Sequence, residues 1–254
     1  MTRVICSFLY VSLVAIILFL PRLSHGNGCI DCHSDPDFFV QDRKLYSYYQ
    51  DYIKSPHSEA GLTCDYCHGG NAQAADQESA HKEIPQLTDT ASKLYYKNLP
   101  ETCGSCHTDK LAQFKQSKHY KALMSDKLAP SCATCHSPMN PRPDYREIID
   151  KSCRNCHNEK NAPQIPLVAD RADDVLHRLS IAKVYLGWTA VYYASMDWPG
   201  DSQQQVDDIS REYSAAVSRV HSFDLCKMDE SSDQILTKLT DIFENAWKEK
   251  NIQE

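Results

Sequence analysis

Five short stretches of the chain repeat one pattern, in which two cysteines are separated by two residues and followed directly by a histidine. The pattern Cys-x-x-Cys-His is the attachment signature of c-type haem. Cysteines three positions apart lie on the same side of a helical turn, so both thiols can bond to the vinyl groups along one edge of a porphyrin. The histidine that follows can reach the iron as its proximal ligand. The five stretches are residues 29–33, 64–68, 103–107, 132–136 and 153–157.

The repeated pattern predicts five covalently attached haem c groups and gives most cysteines of the chain a role. The predicted attachment residues are Cys29, Cys32, Cys64, Cys67, Cys103, Cys106, Cys132, Cys135, Cys153 and Cys156. The predicted proximal iron ligands are His33, His68, His107, His136 and His157. Cys226 lies outside the pattern, and either a buried thiol or an intermolecular disulfide would account for it.

Other kinds of cysteine-rich protein account for the pattern less completely. A disulfide framework is common in exported proteins, but it does not require regular Cys-x-x-Cys pairs. A zinc ribbon uses such pairs without needing a histidine after every second cysteine. A redox-active disulfide also uses the pair, although five of them in one chain would be unusual.

Each iron also needs a group for its sixth coordination position, and the chain offers one spare histidine for each haem. The candidate distal ligands are His57, His81, His119, His177 and His221. This match predicts bis-histidine ligation at all five irons. The alternatives are exposed surface histidines, core histidines for the two in the C-terminal helices, or ligation by methionine, which would raise the reduction potential. Those methionines are Met124, Met139, Met196 and Met228. If one iron is left open, His81 or His221 is the weakest of the candidates.

The composition excludes some classes of function and indicates how the interior is filled. The 254 residues carry a formal net charge of −7, which argues against nucleic acid as a main partner. Hydrophobic residues make up 42% of the chain, and the mean hydropathy is −0.52. We therefore expect the macrocycles themselves to form much of the core.

The N-terminus predicts export from the cytoplasm. Arg3 precedes an uncharged apolar run over residues 4–20, and Ser24 and Gly26 supply the small residues of a signal-peptidase site. We therefore expect residues 1–26 to be a signal peptide that is cleaved after Gly26. An uncleaved membrane anchor is the alternative. Cleavage would remove two arginines and no acidic residue, so the mature chain would carry a net charge of −9.

The motifs divide the mature chain into two parts. Residues 27–165 are predicted to form a pentahaem domain of short helices and loops, and residues 166–254 a helical region that donates distal ligands. In the second part, Asp170 is expected to cap a long helix that runs to about Met196. A second helix is expected from about Ser202 to His221, and a third from near Ser232, after a polar connector over residues 224–231. The predicted fold class is mainly α.

With these motifs, the chain resembles the exported multihaem cytochromes c of bacteria. That group includes hydroxylamine oxidoreductase, its tetrahaem electron acceptor and the ammonia-forming nitrite reductases. The resemblance covers the five motifs, the serine- and histidine-containing elements ahead of them and the C-terminal helices with His177. It implies haems packed in near-parallel pairs. One departure weighs against nitrite reduction, because that family replaces one proximal histidine with lysine and this chain contains no Cys-x-x-Cys-Lys.

The expected function is electron transfer through closely packed haems between redox partners in the periplasm or at the cell surface. The expected partners are other cytochromes, a quinol dehydrogenase or a terminal reductase, with a membrane involved only if the N-terminal segment stays attached. One alternative is an oxidoreductase with a single five-coordinate haem that acts on a small nitrogen or sulfur compound. A further alternative is a subunit of an extracellular haem filament.

Overall fold

The computed structural model describes residues 27–137, 144–193 and 202–252. Within these ranges the chain forms helices joined by turns and contains no β-strand, which confirms the prediction of a mainly α protein. No helix in the described ranges is long and apolar enough to span a membrane. The predicted signal peptide, its cleavage site, Met139 and Met196 lie outside the described residues.

The first part of the described chain consists of short helices that surround the five motifs. In chain order they are α1 Gly28–His33, α2 Asp37–Gln41, α3 Arg43–Tyr52, α4 Pro56–Glu59, α5 Cys64–His68, α6 Gln77–His81, α7 Leu99–Gly104, α8 Thr108–Gln116, α9 Lys118–Met124, α10 Cys132–Cys135, α11 Tyr145–Ile148 and α12 Arg154–Cys156. A π-helical turn, Ile149–Cys153, joins α11 to α12.

Side-chain caps start the three short helices that carry spare histidines. Ser55, Asp76 and Ser117 stand at the N-caps of α4, α6 and α9. Their side-chain oxygens accept hydrogen bonds from backbone N–H groups three residues on, at 2.9–3.2 Å. A cap satisfies an N–H that the first helical turn leaves without a partner, so these one-turn helices can form where they could not propagate alone.

Few apolar side chains are buried in this first part. Among the described residues before the C-terminal helices, the buried hydrophobic ones are Ala72, Phe114, Leu123 and Ile149. A stretch this long normally buries many more, because apolar burial is the main stabilising term in folding. The side chains alone therefore do not supply a core here.

The C-terminal part is a bundle of longer helices with an ordinary apolar core. Its helices are α13 Val168–Tyr193, α14 Ser202–Arg219 and α15 Leu225–Ile252, with a 3₁₀ turn, Val220–Ser222, after α14. The core contains Val175, Leu179, Ala182, Ile209, Ala216, Met228, Ile235 and Leu239.

The third helix of the bundle begins earlier than the sequence predicted. The expected polar connector over residues 224–231 is wrong, because α15 starts at Leu225. The carbonyl oxygen of Asp224 accepts a hydrogen bond from the N–H of Met228 at 3.0 Å, which closes the first turn. Met228 is only 4% exposed, and Leu225 also packs against the core, so apolar burial stabilises this first turn. That position also removes Met228 from the candidate iron ligands.

The bundle packs against the motif-bearing part through the 3₁₀ turn, which lies on α8. Phe223, directly after that turn, places its ring against Phe114 and against the His119 imidazole, with centroids 6.2 and 4.5 Å apart. This contact fixes the position of His221 relative to the third to fifth motifs.

Candidate functional site

The motifs adopt the helical turn that haem attachment requires. In the third, fourth and fifth motifs, the histidine N–H donates to the carbonyl oxygen of the first cysteine, at 3.0, 2.9 and 2.8 Å. The first two motifs lie within α1 and α5. Each hydrogen bond spans four residues, as in an α-helix, so both cysteines of a motif face one side.

The attachment sites follow one another in space in the same order as in the sequence. Burial raises the pKa of the Cys64 thiol, and the neighbouring thiol of Cys29 raises it further. Burial and then the thiol of Cys103 raise the pKa of Cys67. The first motif therefore adjoins the second, and the second adjoins the third.

The same succession continues to the end of the series. A hydrogen bond between the thiols of Cys103 and Cys132 raises the pKa of Cys103 and lowers that of Cys132. Burial, followed by the nearby thiol of Cys153, raises the pKa of Cys135 to about 11. Helix contacts agree, since α1 packs on α5 and α7 on α10. The five sites are therefore consecutive neighbours from the first motif to the fifth, and we call this succession the row.

Four of the five motif histidines face a spare histidine. The ring centroids are 6.1 Å apart for His33 and His81, 6.2 Å for His57 and His107, 5.9 Å for His119 and His157, and 6.1 Å for His136 and His221. Each pair therefore joins a predicted proximal ligand to a predicted distal one from another segment of the chain.

The separation within these pairs fits an iron held between two imidazoles. A metal–imidazole bond of about 2.0 Å on each side, added to the distance from each nitrogen to its ring centre, places the two centroids about 6.2 Å apart. The four observed separations lie within 0.3 Å of that value. The residues present fit haem groups at these positions.

Hydrogen bonding around the imidazoles points to the same missing group. Nδ1 of His81 lies 2.8 Å from the carbonyl oxygen of Gln77, which fixes Nδ1 as the protonated nitrogen and leaves Nε2 free for a metal. Nδ1 of His119, His157 and His221 is buried without a hydrogen-bond partner in the described structure. A buried nitrogen without a partner indicates a group that the chain does not itself supply.

Burial also keeps several of these imidazoles in the neutral form that binds metals. It is the main cause that lowers the pKa of His33, His68, His119, His157 and His221. A neighbouring imidazole is a further cause for all of them except His157. A neutral ring keeps the lone pair that an iron ligand must donate.

The structure does not bring the fifth pair together. Nδ1 of His177 is hydrogen-bonded to the hydroxyl of Tyr145 at 2.9 Å, on an exposed part of α13 near the fifth motif. His68 lies beside His33, whose imidazole contributes to lowering its pKa. Among the described residues, no motif imidazole faces His177. Ligation by His177 therefore stays a prediction.

Two further candidates from the sequence are also placed. Cys226 is exposed, and its sulfur lies 4.0 Å from Nη2 of Arg171. Met124 is 39% exposed at the end of α9.

Sequence reasoning missed Tyr145 and Phe223, which contact the spare histidines His177 and His119, because neither residue stands in a motif. In the described chain, no three His, Cys, Asp or Glu side chains converge as a metal-ion site.

Two family models match the motif-bearing part of the chain. The model for cytochrome c7 and related cytochrome c matches residues 50–137, and the model for cytochrome c554 and c-prime matches residues 102–175. Together the two matches span the second to fifth motifs and include two of the facing histidine pairs. No solved structure matches the chain at a significant level.

Curated relatives match the chain over part of their length. C-type polyheme cytochrome OmcB of Geobacter sulfurreducens is 26% identical over 187 residues, covering 52% of this chain and 25% of the relative. Multiheme cytochrome MtrA of Shewanella baltica is 23% identical over 140 residues, covering 54% of this chain and 33% of the relative. The match therefore spans a quarter to a third of the length of these relatives.

Proposed function

We propose that this multihaem c-type cytochrome carries five haems in one row and relays electrons between redox partners outside the cytoplasmic membrane. The observation that carries the proposal is the succession of attachment sites, in which the thiols of each motif lie near those of the next. Haem c, when bound, supplies a one-electron iron couple. Haems attached at neighbouring sites can pass an electron from one to the next, which five isolated sites could not do.

The chain's own residues perform three tasks in this account. The cysteine pairs hold each cofactor covalently, so little protein is needed to retain it. At four sites the two facing histidines would both bind the iron, which would leave no place on it for a substrate. The capped one-turn helices α4, α6 and α9 orient the distal imidazoles from segments outside the motifs.

The two ends of the row are suited to exchange with partners. Cys32 in the first motif and Cys156 in the fifth are exposed, as are Cys67 and Cys106 in the second and third motifs, so the ends of the row reach the surface without being the sole exposed sites among the described motifs. A cofactor edge attached there would lie near solvent, where a second redox protein could approach. Bis-histidine ligation together with solvent exposure favours low reduction potentials at these sites.

Charge indicates the kind of partner. The mature chain would carry a net charge of −9, and haem propionates would add to it. A partner with a basic docking face would be attracted at low ionic strength, and added salt would slow the encounter. The predicted signal peptide supports export, with the periplasm as the proposed location.

The experiment that tests this proposal alters the middle of the row without removing a cofactor. His57→Met places a thioether at the third site, which would raise that haem's potential and make it a trap for electrons. In the purified holoprotein with five haems, confirmed by intact mass, we expect slower electron transfer from a reductant to a partner oxidant. His177→Met is the matched control and should leave the rate unchanged. An equal rate in both variants would contradict relay through the third site.

A further inference from the structure

One motif histidine and one spare histidine remain after the four facing pairs are formed. The motif histidine is His68, and the spare one is His177. We infer that the second haem, held by Cys64, Cys67 and His68, keeps an open distal position that binds a small diatomic ligand such as carbon monoxide or nitric oxide. This inference rests on the proposed attachment of five haems.

The position of His177 is the first argument. Its helix, α13, packs on α15, on α14 and on the π-helical turn of the fifth motif. The fifth motif is the last in the row and lies three motifs beyond the second. Its ring is exposed and is held by the hydroxyl of Tyr145. The bundle that fixes α13 thus directs this imidazole away from the second site.

The chain around His68 is the second argument. Gly69 and Gly70 follow with φ of 76° and 84°, so the backbone turns sharply directly after the proximal histidine. A Cβ atom at Gly70 would lie 2.6 Å from the carbonyl oxygen of Ala80, which shows how closely α6 approaches this turn. The spare imidazole on α6, His81, therefore lies near the second site.

That nearby imidazole is already used by the first motif. His81 faces His33 with centroids 6.1 Å apart, and its Nδ1 is fixed on the carbonyl oxygen of Gln77. It cannot serve the first and second sites at once. Among the described residues, which include every histidine after residue 26, no imidazole is left over from the four pairs to face His68 except that of the distant His177.

Ligand chemistry decides the class of molecule that would bind. A haem with one histidine ligand and a free distal position binds diatomic ligands, and the distal surroundings decide which of them. The four paired sites exclude such ligands because both axial positions are filled. Only one of the five haems should therefore respond.

Carbon monoxide titration of the reduced holoprotein tests the inference. Intact mass first establishes five attached haems, so a failure of the proposed haem count is seen separately. We then expect one carbon monoxide bound per protein molecule, rising to two in His81→Ala and staying at one in His177→Ala. No binding by the five-haem protein would overturn the inference, and a gain of one site in His177→Ala would do the same. A thioether from Met139 or Met196 at the second site would appear as absent binding together with a methionine-ligation absorption band.

A second variant assigns the open position to His68. His68→Met keeps the haem attached through its two thioether bonds but changes the ligand opposite the bound carbon monoxide. The iron–carbon monoxide stretching frequency, measured by resonance Raman spectroscopy, should shift in His68→Met and stay constant in His136→Met. An unchanged frequency in His68→Met would place the open position at another haem.

Discussion

The imidazole rings of His136 and His221 are nearly parallel, 14° apart with centroids 6.1 Å apart. One residue belongs to the fourth motif and the other to the 3₁₀ turn of the C-terminal bundle. The bundle thus reaches the row of attachment sites and covers one of them. In the proposed arrangement, the bundle supplies an iron ligand that the motif-bearing part lacks.

Removal of His221 should open the fourth haem. In His221→Ala we expect a new high-spin ferric signal from one additional haem, because no other described imidazole faces His136. Low-temperature EPR of the oxidised protein measures it. His177→Ala is the control from the same bundle and should leave the spectrum unchanged. An unchanged low-spin signal in His221→Ala would show that this pair does not hold an iron.

The angles between facing rings predict the shape of the EPR signals. Parallel axial imidazoles separate the iron dπ orbitals more than crossed ones do, so they give a rhombic low-spin signal. The His136–His221 pair should give such a signal, and the pairs crossed at 53–69° should give more anisotropic ones. Loss of the rhombic component in His221→Ala, with the others retained, would assign it. Loss of a different component would contradict the assignment.

Gly104 inside the third motif should be required by packing. A Cβ atom there would lie 2.7 Å from Cβ of Leu111 on α8, closer than side chains tolerate. We expect Gly104→Ala to destabilise the protein by about 1–3 kcal/mol. Thermal unfolding followed by circular dichroism measures the change.

Gly187 in α13 provides the matched control for that substitution, since nothing lies within 4 Å of the position of its Cβ. Gly187→Ala should be neutral or stabilising by up to about 1 kcal/mol, because alanine favours a helix. Equal effects of the two substitutions would show that Leu111 does not constrain the third motif.

Arg178 should contribute to the stability of the C-terminal bundle. Its Nε donates to the hydroxyl of the fully buried Ser232 at 3.0 Å, and its guanidinium forms an ion pair with Asp229. Ser232 and Asp229 both lie on α15, so Arg178 links α13 to α15. Arg178→Ala should cost about 1–3 kcal/mol, measured by urea unfolding. Arg211→Ala removes a more exposed pair with Asp208 and should change stability by less than about 0.5 kcal/mol. A similar small change in both variants would show that the α13–α15 contact does not depend on Arg178.

The helical turn of each motif is the part of the candidate site that can be predicted from the sequence. The five motifs depend on residues at most four positions apart, so their spacing alone specifies a helical turn with both cysteines on one side. The fold class follows from the same short range, together with the helical periodicity of the C-terminal part.

The pairing of histidines could not be predicted, because it depends on how distant segments pack. From the sequence, His81 and His221 are the weakest candidates for distal iron ligands, yet both face a motif imidazole in the structure. His177 shares a helical stripe with Val184 and Trp188, but that stripe is exposed. The opposite side of α13, with Val175 and Leu179, forms the core. A helix with apolar residues on two sides does not reveal from its sequence which side is buried.

Spin quantitation by low-temperature EPR of the oxidised holoprotein, with five haems established by mass, tests the account most directly. Four facing pairs and one unpaired motif histidine predict four low-spin ferric haems and one high-spin ferric haem. Five low-spin haems would contradict the open position at His68, and two or more high-spin haems would contradict the histidine pairs.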